Sequence, residues 1–502
     1  MLAWIKSLPF MVILAGLGVS SMYLSMGYAI RLQDWVVART LFYHTTFLLI
    51  LIGLVAIALT GHQTRNSARH YLITVFGTFL VIPALLALPF DVLVPSITYF
   101  QAYFEMLSSL TTTGATLFDD PSILPAPLHL MRAITGWLGG LFMLVVALSI
   151  FAPLQIGGFE IYAAVERNTR SANQIARAAA DQRLVRYFNQ IFPIYFSLTA
   201  ILMLALLVAG DRALVAASHA MAIMSTSGIS PVGGLDGAAS GYAGEVLMCA
   251  FLLFAVSRHL FLQGESGGVI QAVKTDKEIN LMLICVTVIP LLLFLRHWTA
   301  ALEVSAIGTV GTAIAAMWGG IFTVLSFLTT TGFESAAWDG AQAWSGLGTP
   351  GLILMGLAIM GGGVATTAGG IKLLRIYALY KHGHREINRL SHPNSVGGSS
   401  ARARAIRREG ALVAWVFLML FVLSLALIAL LLSFTGLAMT DSLVVAIAGL
   451  STTGPLINLG AEGVARMADI SDAGKAIFCV AMVLGRLEAL AVIAVLNPNY
   501  WR

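Results

Sequence analysis

One short phrase occurs four times along the chain: Leu110-Thr111-Thr112-Thr113-Gly114-Ala115, Met224-Ser225-Thr226-Ser227-Gly228-Ile229, Leu328-Thr329-Thr330-Thr331-Gly332-Phe333 and Leu450-Ser451-Thr452-Thr453-Gly454-Pro455. Each copy follows a short apolar segment, such as Arg212–Met224 or Ser442–Leu450, which itself follows a long apolar span. A polar stretch and another long span come after it. A glycine behind a helix is an ordinary C-cap, and one copy would mean no more than that. Four copies at similar spacing in like surroundings mark a repeat architecture, in which one structural unit recurs.

The unit must sit in lipid. Of the 502 residues, 58% are hydrophobic and 11% charged, whereas a soluble domain carries about 25% charged residues. A hydrocarbon core about 30 Å thick takes about 20 apolar residues per helix. Ten spans qualify: Phe10–Ile30, Thr40–Thr60, Tyr71–Pro89, Ala133–Phe159, Ile191–Gly210, Val246–Leu262, Ile279–Leu295, Thr349–Ile371, Ala411–Met439 and Ala476–Leu496. The first is too long for a signal peptide and has no small-residue cleavage site, so it is expected to be retained. The expected fold is an all-α integral membrane protein with two leading helices (residues 1–66) and four membrane–pore–membrane repeats (67–185, 186–275, 276–408 and 409–502).

Loops after Thr60, Phe159, Leu262 and Ile371, with Lys6 and Arg502, hold most of the 29 Lys and Arg. The positive-inside rule then places both termini in the cytoplasm. This bias accounts for the net charge of +5, and no basic stretch is interleaved with aromatics as single-strand nucleic-acid binders require. Cys249, Cys285 and Cys479 lie within apolar spans without metal-ligand spacing, so they are expected to act as small hydrophobes. No nucleophile–base pair and no GxxxxGK[ST] motif is present, so the chain is not expected to be an enzyme or to bind nucleotide itself.

The short segments suit re-entrant helices. Asp211, Thr440-Asp441 and Ser96 stand where N-caps belong. Their C-terminal ends carry partial negative charge, and four of them aimed at one axis favour a cation there. Non-helical backbone at membrane depth is tolerated only when buried in protein or lining a wet cavity. Extended loops meeting on an axis offer rings of carbonyl oxygens that replace the hydration shell of an alkali cation. Glycine turns its carbonyl inward without a side-chain clash, and the Ser and Thr hydroxyls either ligate the ion or pin the loop.

Further on, Gly361-Gly362-Gly363-Val364-Ala365-Thr366-Thr367-Ala368-Gly369-Gly370 places five glycines in ten residues of an apolar span. Each costs a helix about 1 kcal/mol relative to Ala. The readings are close helix packing through small residues or a flexible loop beneath the filter that blocks the pore until it moves. Arg486 falls near mid-membrane, and an intramembrane charge marks function by default. It is expected to face the pore as an electrostatic barrier; the alternative is a structural pair with Glu488 or a carbonyl. Asp119, Asp120, Glu334 and Asp339 follow filters and raise local cation concentration or are ordinary loop charges. Glu105 is expected to bond backbone behind the first filter. Arg375–Arg408 reads as a flexible basic cytoplasmic loop able to touch lipid head groups or a partner.

These residues resemble the TrkH/KtrB/HKT superfamily of potassium transporters, and most of all its bacterial TrkH branch, over essentially the whole chain. The resemblance rests on the two leading helices before four repeats, Phe104-Glu105, Gly136-Trp137-Leu138-Gly139-Gly140, Gly361–Gly370 with Lys372, Leu484-Gly485-Arg486-Leu487-Glu488 and the tail Asn497-Pro498-Asn499-Tyr500-Trp501-Arg502. It implies a potassium filter at Thr111, Thr112, Thr113 and Gly114; at Ser225, Thr226, Ser227 and Gly228; at Thr329, Thr330, Thr331 and Gly332; and at Ser451, Thr452, Thr453 and Gly454. It implies a gate at Gly361, Gly362, Gly363, Gly369, Gly370, Lys372 and Arg486. Potassium would be the substrate, with no cofactor in this chain. The implied setting is a homodimer in the bacterial inner membrane, bathed by lipid and met on its cytoplasmic face by TrkA-like nucleotide-binding subunits. Gly114 looks like the potassium type. Ser-Thr-Ser-Gly-Ile in the second copy, Ser-Thr-Thr-Gly-Pro in the fourth and Arg258-His259 depart from the family pattern, which leaves potassium-over-sodium selectivity open. A weakly selective pore, an ion-coupled secondary transporter and a nonconducting sensor or scaffold that keeps the pore fold remain as alternatives.

Overall fold

A computed structural model describes residues 9–60, 68–152, 180–257, 276–299, 310–346, 349–392, 411–459 and 466–488. The described part is helical, and eight of its helices are long and apolar enough to cross a membrane. Two leading spans come first. One is α1 (Phe10–Ser20) continued by α2 (Met22–Arg31), and the other is α3 (Trp35–Ala58), whose start is capped by Asp34 accepting from the Val37 N–H at 3.2 Å. Their outer faces expose Phe42, Phe47, Ile50, Leu54 and Ile57, as lipid-facing helices should.

Repeat 1 contains α4 (Ala68–Leu93), the pore helix α5 (Tyr99–Leu110) and α6 (Ala126–Val146), which runs on as a π-helical turn to Phe151. Repeat 2 has α7 (Ala180–Val208), pore helix α8 (Ala213–Ser225) and α9 (Gly241–Leu252). Repeat 3 has α10 (Lys277–Thr299), pore helix α11 (Val310–Leu328), α12 (Trp338–Ser345), α13 (Gly351–Met360) and α14 (Leu373–Ser391). Repeat 4 has α15 (Ala411–Ser433), pore helix α16 (Met439–Ser451) and α17 (Asp472–Leu487). The filter-proximal halves of the pore helices are buried on all sides, as at Phe104–Leu110 and Val444–Ser451. Such helices need close neighbours. A Cβ on Gly139 of α6 would stand 2.0 Å from the Leu110 carbonyl oxygen, so only glycine lets α6 lie against the end of α5.

Several expectations change. The third pore helix is not short: its described part spans 19 residues, and it reaches outside the buried core, where Val310 and Ile314 are exposed. The break expected among the glycines of Thr349–Ile371 is present: α13 stops at Gly361, whose φ of 71° leaves the helix. The N-caps differ too. Thr98, not Ser96, caps α5 through a reciprocal capping box with Gln101. Asp211 does not cap α8; it accepts from the Ser240 N–H at 2.8 Å and the Ser240 hydroxyl at 2.9 Å, tying α7 to the start of α9. Thr440 and Asp441 lie within the first turn of α16, which has no side-chain cap.

The basic stretch after Ile371 is not wholly loop, since α14 occupies its first half. Arg375 is fully buried there, 2.7 Å from Glu488 and 3.6 Å above the centre of the Phe417 ring. The pair locks α14 to α15 and to the end of α17. Phe159, Arg258-His259, Gly397–Ser400 and the Asn497–Arg502 tail lie outside the described residues. Cys249, Cys285 and Cys479 are unbridged. Glu488→Gln leaves the buried Arg375 charge without its carboxylate and is expected to lower unfolding free energy by about 3 kcal/mol, measurable as a drop in melting temperature in detergent.

Candidate functional site

Each pore helix ends in the same way. The residue after its last full turn is left-handed, and it is threonine every time: Thr112, Thr226, Thr330 and Thr452, with φ of 56°, 52°, 58° and 54°. The N–H of the following residue reaches back to the carbonyl five positions earlier, 2.9 Å in all four copies: Thr113 to Ser108, Ser227 to Ala222, Thr331 to Ser326 and Thr453 to Ala448. This is the bond pattern of a Schellman cap, whose left-handed place glycine ordinarily takes. The repeated glycines are therefore not the helix caps. They come two residues later, and Gly114, Gly228 and Gly332 are left-handed in turn, with φ of 74°, 62° and 83°.

Hydroxyls pin each loop. Thr111 donates to the Leu107 carbonyl at 2.8 Å and meets the Thr113 hydroxyl at 2.8 Å. Ser225 donates to Met221 at 2.7 Å and to Ser227 at 3.1 Å. Thr329 and Thr331, and Ser451 and Thr453, repeat the ladder at 3.2 Å each. The first and third hydroxyls of each phrase are thus spent on the loop. Thr112 Oγ1 and Thr452 Oγ1 are buried with no hydrogen-bond partner among the described residues.

The four loops close a ring. A Cβ on Gly114 would stand 1.9 Å from the Ser227 carbonyl oxygen, and one on Gly228 would stand 2.3 Å from that of Thr331. A Cβ on Gly332 would meet Pro455 at 3.0 Å, and one on Gly454 would meet the Ala115 nitrogen at 2.1 Å. Repeat 1 touches 2, 2 touches 3, 3 touches 4 and 4 touches 1. The fourth copy departs: Gly454 is not left-handed and opens a 3-10 turn through Asn458. Its N–H donates to the Thr113 carbonyl at 2.6 Å.

The glycine-rich segment lies directly against this ring. Its ends are stitched together: Ile371 N–H donates to Ile359 O at 2.9 Å and Lys372 N–H to Met360 O at 3.0 Å. Its tip meets three filters. Gly369 N–H donates to Thr330 Oγ1 at 2.7 Å, Thr367 Oγ1 donates to Met224 O at 3.3 Å, and a Cβ on Gly369 would stand 2.1 Å from the Ser451 carbonyl oxygen. A Cβ on Gly363 would lie 1.8 Å from Val256 O, so at this point the loop passes too close to a neighbouring backbone for any side chain. Arg486 is buried and donates through Nη1 to Thr367 O at 2.6 Å. Its Nε and Nη2 have no partner among the described residues. Glu488 faces Arg375 instead, so Arg486 and Glu488 are not a pair. Lys372 Nζ donates to Ala368 O within the segment. Gly369, Gly370, Lys372, Arg486 and Glu488 line a cavity of about 30 Å³ together with Met143 and Phe151 of repeat 1, room for one or two waters.

Buried acids support the loops. Glu105 accepts from the Leu117 N–H at 2.5 Å and the Thr116 hydroxyl at 2.9 Å, and pairs with Arg132 at 3.1 Å. Sequence reasoning passed over two others. Glu245 of α9 accepts from Trp318 Nε1 at 2.6 Å, Ser335 Oγ at 2.7 Å and Ala336 N–H at 2.8 Å, holding the strand beyond the third filter. Glu278 accepts from Val364 N–H at 2.8 Å inside the glycine-rich segment. Both are acids in or at the edge of apolar spans, a signal of its own. Among the described residues no cluster suited to a metal ion of the His/Cys/carboxylate kind occurs.

Of the acids beyond the filters, Asp119 makes an exposed pair with Arg466 at 3.7 Å, and Asp120 caps the turn at Ser122. Glu334 differs: burial, then the nearby charges of Asp339 and Asp236, push its carboxyl up to about 7. It loses its proton as pH rises through that value, so negative charge at the mouth grows across about pH 6 to 8 and attracts cations. Cation uptake at low ionic strength is expected to rise over the same range, and Glu334→Gln is expected to flatten the profile of initial rates.

A family model described as TrkH, cation transport protein, matches residues 38–244 and 278–501. The chain is 29% identical to the Trk system potassium uptake protein TrkH of Vibrio parahaemolyticus, covering 88% of this chain and 87% of that one. It is 28% identical to the protein of that name from Salmonella typhimurium, over 81% and 80% of the two chains. The crystal structure of the potassium transporter TrkH from Vibrio parahaemolyticus superposes with a TM-score of 0.81 at 25% identity, over 99% of both chains.

Proposed function

Because this chain belongs to the TrkH family of cation transport proteins, we propose that it takes up potassium through the column ringed by its four Thr-Gly loops, gated by the glycine-rich segment beneath them. The observation that carries this reading is the closed ring of loops, each entered through a left-handed threonine and packed backbone to backbone against its neighbours. Such rings exchange an alkali cation's water for fixed carbonyl oxygens. The pore-helix C-termini aim their partial negative charge at the same column. The relatives are named as potassium uptake proteins, which supports potassium as the substrate. They are transport proteins, and the chain is read as one too.

In the gate, the segment at Gly361, Gly362, Gly363, Gly369 and Gly370 occupies the path beneath the ring. Arg486 holds it there through Thr367 O, and its positive charge opposes a cation below the filter. Lys372 closes the segment on itself at Ala368. Opening moves this segment away from Thr330 and Ser451. The units 1–66, 67–185, 186–275, 276–408 and 409–502 serve as leader and four pore repeats. The protein sits in the bacterial inner membrane with both termini cytoplasmic, as its basic loops favour, and works as a homodimer. The Trk-system names of its relatives support TrkA-like nucleotide-binding subunits on the cytoplasmic face.

A weakly selective potassium and sodium pore is a second reading, favoured by the fourth loop alone. There the Thr113 carbonyl accepts from Gly454 N–H, which draws one ring oxygen away from an ion.

Rubidium and sodium fluxes into liposomes holding only this protein separate the two. Rubidium is expected to enter at least about tenfold faster, equivalent to about 1.4 kcal/mol; equal rates remove selectivity from the proposal. Arg486→Gln is expected to raise rubidium flux severalfold by freeing the segment and removing the barrier charge, whereas a barrier elsewhere leaves flux unchanged.

A further inference from the structure

The same register position in three of the pore helices carries a polar side chain that none of the filter contacts uses. Counting seven residues back from each left-handed threonine gives Glu105, His219, Thr323 and Val445. All four are buried. The first three reach the strand that leaves their own filter glycine, at nearly the same distance along the chain. Glu105 takes the Thr116 hydroxyl and Leu117 N–H, eleven and twelve residues on. His219 Nε2 meets Ser230 Oγ at 2.9 Å, eleven residues on. Thr323 Oγ1 accepts from Ser335 N–H at 3.2 Å, twelve residues on. Val445 offers no such group, and in the fourth copy the chain coils into a 3-10 turn directly at the glycine, Gly454–Asn458.

We infer that Glu105, His219 and Thr323 are equivalent positioning residues, each tying the outgoing strand of its filter back to its pore helix and so setting the width of the carbonyl ring. The inference rests on the reading of the four loops as a potassium filter. A ring selects an alkali cation only while its oxygens hold their spacing. The helix fixes one end of each loop through the cap bonds, and without a tie the strand beyond the glycine has only packing to hold it.

The three ties differ in chemistry but not in reach. Glu105 is long and charged, and Arg132 at 3.1 Å balances it. Ser230, the target of His219, also accepts from Val232 N–H at 3.2 Å and Gly234 N–H at 3.1 Å, so that tie gathers a whole turn. Thr323 is the shortest, and Glu245 from repeat 2 reinforces its strand at Ser335 and Ala336. The fourth loop, tied by nothing at this position, is also the one whose glycine is not left-handed. One register rule accounts for both the likeness of three copies and the departure of the fourth.

Thr323→Val removes the acceptor while keeping the side chain's shape. It is expected to lower the rubidium-to-sodium flux ratio in liposomes about fivefold, the equivalent of one hydrogen bond of about 1 kcal/mol, while total cation flux persists. Thr323→Ser, which keeps the hydroxyl, is expected to restore the ratio. Ser218→Ala is the control: its hydroxyl lies on the pore helix that carries His219, buried, with no hydrogen-bond partner among the described residues, and its ratio is expected to equal that of the unmodified protein. Ser230→Ala cuts the second tie from the loop side and is expected to lower the ratio likewise; it decides the question if Thr323→Val does not fold. A selective parent whose ratio survives both Thr323→Val and Ser230→Ala overturns the inference alone. So does an equal fall in Thr323→Ser or Ser218→Ala, which would mean general disturbance of the pore helices. A parent that passes both ions equally overturns the filter reading and the inference with it.

Discussion

Four threonines sit where a pore helix would ordinarily place glycine. A β-branched residue in the left-handed region is a genuine outlier, and such strain costs of order 1–3 kcal/mol at each site. It persists only when the surroundings over-determine it. Here they do so from three directions. The cap bonds at 2.9 Å fix the residue that follows. The ladder between the first and third hydroxyls fixes the residues on either side. The neighbouring loop leaves no room for the next glycine to relax. Each loop is held in an unfavourable conformation by its own cap and ladder and by its two neighbours in the ring.

That ring explains the polar interior of an otherwise apolar protein. Burying a charge is costly unless it is paired and hydrogen-bonded. Glu105 with Arg132, and Arg375 with Glu488, meet the condition by pairing. Glu245 and Glu278 meet it by collecting N–H and O–H donors from loops that would otherwise lack acceptors. These acids stand behind the loops and brace them. Arg486 is the contrast, with one donor bonded to the glycine-rich segment and two donors left beside a small cavity. A contact that satisfies only part of a buried cation is weaker than a closed pair, which fits the gate proposed for this segment.

Much of this was legible in the residues because it depends on local pattern. The phrase at Thr111–Gly114 and its three companions marked the loops, and long apolar runs marked the helices around them. Five glycines between Gly361 and Gly370 announced a broken helix, since no helix tolerates that many. Other features escaped for physical reasons. The N-caps proposed at Asp211 and Ser96 failed because capping depends on where the first turn begins, and tertiary contacts moved Asp211 to Ser240. The third pore helix exceeded its expected length because an apolar residue such as Val310 is equally at home in lipid and in a protein core. The buried role of Arg375 was hidden because a basic residue beyond a span looks like part of a cytoplasmic loop.

By itself the sequence determined that the chain lives in a membrane, that it repeats one unit four times, and that each unit breaks at a Ser/Thr-Gly loop. These follow from hydropathy, period and the intrinsic limits of glycine and threonine, all of which act over a few residues. Only the tertiary structure decided that repeat 1 touches 4, that Gly454 donates to Thr113, and that a segment of repeat 3 lies under the filters of three repeats. Contacts between residues hundreds of positions apart depend on how whole helices pack, and no local pattern encodes which backbone will fill the space a glycine leaves.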